Sequence, residues 1–435
     1  MKYLLFVLFY CCLIHSVKGQ VVDLSLSDCI QLAVQNNPTL LQDELNTQRD
    51  AIQFKQAKNN LLPNLRANIN QGWNQGRNID PITNQYVEQN LSSGQQAVNL
   101  ALPLFDGFKN LHEIRRRSDA LEAGKLEYQS KVNALKLDVI EAYLQVLMAT
   151  DMLEQAKKQL AVTQEQVNRA ETLHKEGAIA PGDYFDLKGQ INIDRNTVDH
   201  QKTAFYSSKV RLATLMQMDP SVLGKLETID YAKEVAWYSR NPALFEQAKT
   251  AIPDIYALDW RIKEAQQALK IAKGDYWPSL SLAAGISSNY SSSSNRDLLF
   301  QVRNNLGKSV SLHLSIPIFS RFMVRNQVKL ARLDLSAAQY ARLARLNSLR
   351  EATAHVIFNM DNINQHIKNL QEQRINFQES FRIATVHFEA GNSNSVIFLT
   401  AKNKVDNAQS QLLVKQYEWL LQKYINDYYA GTLKL

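Results

Sequence analysis

Residue types that make or break bonds are present in this chain, but not in the spacing that catalysis needs. The 435 residues include 8 histidines, and they are scattered. No His-Glu-x-x-His sets two imidazoles beside a base, no Gly-x-Ser-x-Gly presents a nucleophile, and no glycine-rich loop cradles a phosphate. No catalytic constellation, metal cluster or cofactor is therefore expected. Two other groups of residues are arranged to do physical work. Asp183 and Asp186 follow Gly177 and Pro181 by about a turn and are three apart, so they share one face of a helix beginning there. Carboxylates so placed either complement that helix's N-terminal dipole, worth about 0.3 to 1 kcal/mol each, or attract cations. A matching glycine, Gly391, is followed by Asn394. The second group is aromatic: Trp73, Phe105, Trp277, Phe319 and Phe322 crowd the ends of alternating apolar runs, where side chains at a water–hydrocarbon boundary would sit.

Composition narrows the elements that position these groups. There are 49 Lys+Arg against 42 Asp+Glu, a net +7; Lys2 and Lys18 lie in a leader expected to be removed, which leaves +5, too mild to imply nucleic acid. With 45% hydrophobic and 21% charged residues, a disordered chain and a small disulfide scaffold are excluded. Only 15 glycines and 10 prolines fit long uninterrupted elements rather than many short strands. Residues 1–19 read as a secretory signal peptide, with a basic start, an apolar run over 3–14 and a small-residue cut before Gln20. The run falls short of the roughly 20 residues of a spanning helix. Bulky Phe9 and Tyr10 before Cys11 and Cys12 disfavour a lipoprotein signal. Cleavage leaves Cys29 alone, so no intramolecular disulfide is expected. No later stretch of 18 apolar residues exists, which makes a β-barrel the remaining way across a membrane.

The chain also repeats itself. Pro38 and Pro253, Lys58 and Lys273, Pro63 and Pro278, and Leu65 and Leu280 are each 215 apart, while Gly177 and Gly391 are 214 apart. Two tandem copies follow: 20–217 and 243–435, joined by a segment 218–242 that contains Pro220, Gly224 and Pro242. Each copy opens with a helix, 28–60 and 243–274, the first preceded by the capping-box spacing of Ser25 and Asp28. Period-2 runs then predict strands at about 64–75 and 95–105, and at about 279–290 and 307–319. Their length of about 9 to 12 residues suits a tilted membrane strand, and one face is apolar while the other is small or polar.

Long helices follow the strands. A seven-residue ladder of Val132, Val139, Val146, Leu153, Leu160 and Val167 alternates with small residues such as Ala142 and Ala149 three positions on, a knobs-into-holes pattern. The second copy repeats the spacing in Leu349, Val356, Ile363, Leu370, Phe377 and Ala384. Breaks at 177–182 and 391–395 turn each long helix back on itself, giving two antiparallel helical hairpins. The expected fold class is mainly α with β, the hairpins being joined to four transmembrane strands per chain. Four strands cannot close a barrel alone, and open edges are not tolerated in a bilayer. Self-association is therefore expected, and a homotrimer would supply a 12-stranded β-barrel with a wet lumen.

At this point the chain resembles the TolC-type outer-membrane efflux channel family. The resemblance rests on Leu24-Ser25-Leu26, Ala33 and Asn37-Pro38, the paired segments 103–107 and 317–319, the tip glycines, and Ala430-Gly431-Thr432-Leu433. It covers nearly the whole mature chain. The resemblance implies a trimer in the outer membrane of a Gram-negative bacterium, with an α-barrel tunnel through the periplasm. It also implies contact with outer-membrane lipid, a periplasmic adaptor protein and an inner-membrane transporter. Gly177, Pro181, Asp183, Asp186, Gly391 and Asn394 then mark the periplasmic gate or adaptor contact. The family tends to carry acidic rings near the second tip; here those positions hold Ile397 and Thr400, and the first copy holds Asp183 and Asp186 instead. The competing readings are an enzyme, which the missing motifs disfavour, and a periplasmic adaptor or structural coiled-coil protein of an export system, for which one hairpin rather than two would be expected.

Overall fold

The computed structural model describes residues 22–433 except 81, 83, 89 and 238–239; the expected signal peptide, 1–19, lies outside the described residues. In chain order the first copy comprises β1 (Val22–Leu24), α1 (Leu26–Asn36), α2 (Pro38–Asn59), β2 (Asn64–Asn74), β3 (Arg77–Ile79), β4 (Tyr86–Glu88), β5 (Leu91–Phe105), α3 (Lys109–Lys175) and α4 (Pro181–Met216). β6 (Leu223–Leu226) and α5 (Tyr231–Trp237) connect it to the second copy: α6 (Leu244–Ala251), α7 (Pro253–Gly274), β7 (Ser279–Ser291), α8 (Leu298–Asn304), β8 (Gly307–Ser315), α9 (Met323–Glu389) and α10 (Ser395–Ala430).

The duplication is visible in the element lengths. α2 and α7 have 22 residues each, α3 and α9 have 67, and α4 and α10 have 36. Ser25 and Asp28 close the capping box, the Asp28 amide donating to Ser25 Oγ at 3.2 Å and the Ser25 amide to Asp28 Oδ2 at 3.0 Å. The single opening helices expected over 28–60 and 243–274 are each two helices. Pro38 and Pro253 cause the breaks: a proline has no N–H to donate and forces the preceding residue out of the helical region, as at Asn37 (ψ 118°) and Ile252 (ψ 121°).

The copies are not the compact bodies. One unit holds the described residues up to Asp43, Tyr128–Ile252 and those from Leu346 onward; the other holds Glu44–Glu127 and Pro253–Arg345. Each therefore takes part of both copies.

The first unit is helical. The seven-residue ladder of α3 contributes most of its buried seam: Val132, Val139, Val146 and Val167 are buried, Leu153 and Leu160 are half-buried, and Ala142, Ala149, Ala156 and Ala170, three positions on, are buried. Around it Tyr143, Leu212, Met216, Trp419 and Leu420 form the largest core cluster. The Tyr143 hydroxyl donates to the Glu227 carbonyl at 2.7 Å, fastening the segment after β6, which pairs in parallel with β1. Cys29 is fully buried, and desolvation pushes its thiol up to about 12, so it stays protonated and unreactive.

The second unit contains a four-stranded antiparallel sheet in the order β2-β5-β7-β8. β5 begins at Leu91 rather than about 95. β8 ends at Ser315, short of the expected 319, because Pro317 cannot donate to a ladder; Ile316, Ile318 and Phe319 lie beyond it. The strand-to-helix turns are also duplicated. Gly107 and Phe108 have φ of +72° and +65°, and Arg321 and Phe322 have +51° and +60°. Left-handed phenylalanines are uncommon, and they occur here at the same place in both copies.

Candidate functional site

Two regions gather the residues singled out in the sequence, one in each unit. In the second unit, backbone register decides which strand residues share a face. Leu65 faces Leu100, Leu100 faces Ala284, and Ala284 faces Val310. The row beside it runs Ala67, Val98, Ile286, and another runs Leu102, Leu282, Leu312. Rows on the opposite face are wettable, as in Arg66, Asn99, Gly285, Ser309 and in Asn64, Ala101, Ala283, Ser311. The separation of faces holds in the rows nearer the helix end; towards the loops it weakens, since Lys308 completes the Ala67 row and Ile69 stands opposite Gln96, which faces Ser288. In the single chain the apolar face is uncovered: Leu65 is 67% exposed, Ile69 78%, Val310 77% and Leu312 65%.

The aromatic residues divide between the two ends of the sheet. Trp73 lies at the loop end of β2 and is exposed. Phe105, Trp277, Phe319 and Phe322 gather at the helix end. There Phe105 meets Phe108 edge-on at 5.1 Å, and Phe319 meets Phe322 at 5.5 Å. A Cβ at Gly107 would lie 2.3 Å from the Gly274 carbonyl, so only glycine allows this close approach of the turn to the end of α7. Sequence reasoning did not reach Phe108, which equals Phe322 in the duplication.

In the first unit the hairpin breaks come together. Gly177 and Gly391 have φ of +69° and +74°, with Ala178 N donating to Leu173 O and Asn392 N to His387 O. These are Schellman C-caps. Pro181 opens α4, with Ala180 as an N-cap that makes no side-chain bond; Asn394 caps α10 by accepting from the Ile397 amide at 3.1 Å. Asp183 and Asp186 do more than attend their own helix. Asp183 Oδ1 accepts from the Ser395 amide at 2.7 Å, and Asp186 Oδ2 accepts from Ser395 Oγ at 2.8 Å. Carboxylates of the first hairpin therefore cap the returning helix of the second, and Ser395 is fully buried between them. Arg169 reinforces the link through Glu389, at 3.0 Å to its carboxylate and 2.9 Å to its carbonyl. Phe398 packs beneath, against Phe388 and Phe381. A cavity of about 420 Å³ lies between the tips, and two buried polar atoms on its wall, Gln166 Oε1 and Ser393 Oγ, have no hydrogen-bond partner.

Further along the hairpins, a buried ionic cluster escaped the sequence reading. Lys402, 2% exposed, bridges Asp194 at 3.1 Å and Asp406 at 2.8 Å. Thr163 Oγ1 and Gln190 Nε2 donate to the Asp194 carboxylate at 2.5 and 2.7 Å. Burial pushes the Asp406 carboxyl above its ordinary range, and the Lys402 ammonium opposes that shift. The Lys402–Asp406 spacing of four was visible in the sequence; Asp194, 208 positions away, gave no signal. Among the described residues no helix is long and apolar enough to cross a membrane, and no acid, histidine or cysteine cluster could hold a metal ion.

Known proteins share this fold. The outer membrane efflux protein family matches residues 29–216 and 244–423, one stretch in each copy. The outer membrane protein TolC of Vibrio cholerae is 25% identical over 414 residues, covering 91% of this chain and 88% of its own. Among solved structures, CusC superposes with a TM-score of 0.83 at 17% identity, over 96% of this chain and 95% of that chain. The outer membrane protein VceC of Vibrio cholerae gives 0.80 at 17% identity, over 94% and 97%. With both copies matched and the fold shared from end to end, this chain belongs to the outer membrane efflux protein family.

Proposed function

We propose that three copies of this chain close their sheets into one 12-stranded barrel, and that barrel and hairpins form a conduit exporting substrates handed over by an inner-membrane transporter through a periplasmic adaptor. One observation carries this reading: in the rows nearer its helix end the sheet keeps an apolar and a wettable face in register across its strands, with the apolar face uncovered and both edges, β2 and β8, unpaired within the described residues. A soluble antiparallel sheet covers such a face with a core, and a bilayer covers it with lipid but demands closed edges. Because all neighbours are antiparallel, β8 of one copy runs opposite to β2 of the next, so closure continues the same ladder. Two copies would give 8 strands, an interior filled by side chains. Three give 12; with strands about 4.8 Å apart and tilted about 40°, the backbone circle is about 75 Å around and about 24 Å across. That leaves a water-filled lumen.

The hairpin tips, with Gly177, Pro181, Asp183, Asp186, Gly391 and Asn394, are the proposed gate and adaptor contact. Trp73 on one side and Phe105, Trp277, Phe319 and Phe322 on the other are the proposed membrane-interface girdles. An adaptor or a purely structural coiled coil would have no use for an uncovered apolar sheet. Purified protein in a planar bilayer should pass ions without nucleotide or added substrate. Absence of conductance under every condition, tip variants included, overturns the proposal.

A further inference from the structure

The wettable face of the sheet carries a single fixed charge. None of β2, β5, β7 and β8 contains an aspartate or glutamate, and their only lysine or arginine residues are Arg66 and Lys308. Lys308 stands opposite Ile286, in a row of the apolar face. Arg66 stands in the wettable row with Asn99, Gly285 and Ser309. Its Nε donates to Asn64 Oδ1 at 3.2 Å, an uncharged partner that orients the guanidinium without neutralising it. The rest of the row is small or neutral, and a guanidinium keeps its charge at any working pH.

We propose that Arg66 makes the barrel segment of the conduit prefer anions, so that this stretch favours negatively charged substrates over positively charged ones. The inference rests on the reading that the wettable face lines a lumen. Threefold repetition then sets three guanidiniums at one level of a circle about 24 Å across at the backbone, with the heads reaching inward. At about 0.1 M salt the screening length is about 10 Å, so their fields overlap across the opening; at about 1 M it is about 3 Å and they do not. A like-signed ring in a low-dielectric wall raises the local concentration of counter-ions, here anions. No carboxylate in these four strands offsets it.

The reversal potential under a KCl gradient tests this, using parent trimer, Arg66→Asn, Arg66→Lys and Arg66→Glu, each first checked for trimer yield. Below about 0.1 M salt, the chloride-to-potassium permeability ratio of the parent should exceed that of Arg66→Asn by about twofold or more. Arg66→Lys should keep the parent ratio, Arg66→Glu should fall below Arg66→Asn, and the differences should fade towards about 1 M. The comparison between variants isolates the barrel from charges elsewhere along the path, the tip carboxylates included. A conducting parent whose ratio equals that of Arg66→Asn overturns this inference alone. A parent that never conducts overturns the channel reading, and this inference with it.

Discussion

Ala283 and Ala284 are adjacent, identical and on opposite faces of β7, which makes them the sharpest probe of what the sheet faces. Ala283 pairs with Ala101 and Ser311 in a wettable row; Ala284 pairs with Leu100 and Val310 in an apolar one. Ala284 is five residues beyond Ser279, where the strand leaves the aromatic cluster at the helix end. At about 3.3 Å per residue and a tilt of about 40°, that is about 13 Å above the strand's start, half the height of a lipid-facing band about 25 Å tall. An arginine at that depth costs about 2 to 4 kcal/mol on the lipid side. Three kcal/mol is a shift of about a hundredfold in the ratio of folded to unfolded protein. Leu282→Arg, about 8 Å above the start, should cost about 2 kcal/mol because the charged head can snorkel to the nearer interface. Ala283→Arg and Ser281→Arg extend into water and should cost under about 1 kcal/mol. Reversible unfolding in lipid vesicles, followed by the gel mobility of the folded form, gives each difference. Equal losses at 283 and 284 would refute the assignment of faces, since the two substitutions differ in nothing but the side of the sheet.

Other consequences concern the helical unit. Gly177→Ala and Gly391→Ala should each cost about 1 to 2 kcal/mol, measurable as faster hydrogen exchange at the tips, because the left-handed φ is strained for alanine although the space around both is empty. No change would mean the cap relaxes at no cost. Asp183→Ala combined with Asp186→Ala removes both bonds to Ser395; conductance should rise and block by multivalent cations should weaken at unchanged trimer yield. Parent-like conductance and block would leave these carboxylates a helix-end role only. Lys402→Met strands two carboxylates, one of them deeply buried, and should destabilise the helical unit by about 3 kcal/mol in chemical unfolding. A loss under about 1 kcal/mol would show that water reaches the cluster.

Periodicity carried most of the fold. Four of the six ladder residues of α3 are buried in its seam, and the alternation in β2, β5, β7 and β8 divides the faces in the rows nearer the helix end, because both signals are repeated many times and survive small errors. Boundaries set by one residue were harder. Pro38 and Pro253 split helices that an apolar pattern alone joins, and Pro317 ends β8 where the alternation of Ile316 and Ile318 suggests that it continues. The left-handed Phe108 and Phe322 carry no local cue, since nothing in phenylalanine favours positive φ. At the tip, the glycines were legible from their conformational rarity. The bonds from Asp183 and Asp186 to Ser395 and from Lys402 to Asp194 cross more than 200 positions, and only packing of the two hairpins reveals them.

Closure of the barrel requires the open edges β2 and β8 to meet between copies, and cysteine pairs placed along those edges test it most directly. Among the described residues Cys29 is the only cysteine, and it is buried with its thiol protonated, so cysteines introduced there react without competition from it. With one cysteine at Asn70 in β2 and a second stepped through β8 from Gly307 to Ser315, oxidation in native outer membranes should give products of two and then three chains at matching positions, ending there. A series that stops at two chains, or a protein that remains a monodisperse monomer without detergent, contradicts the account.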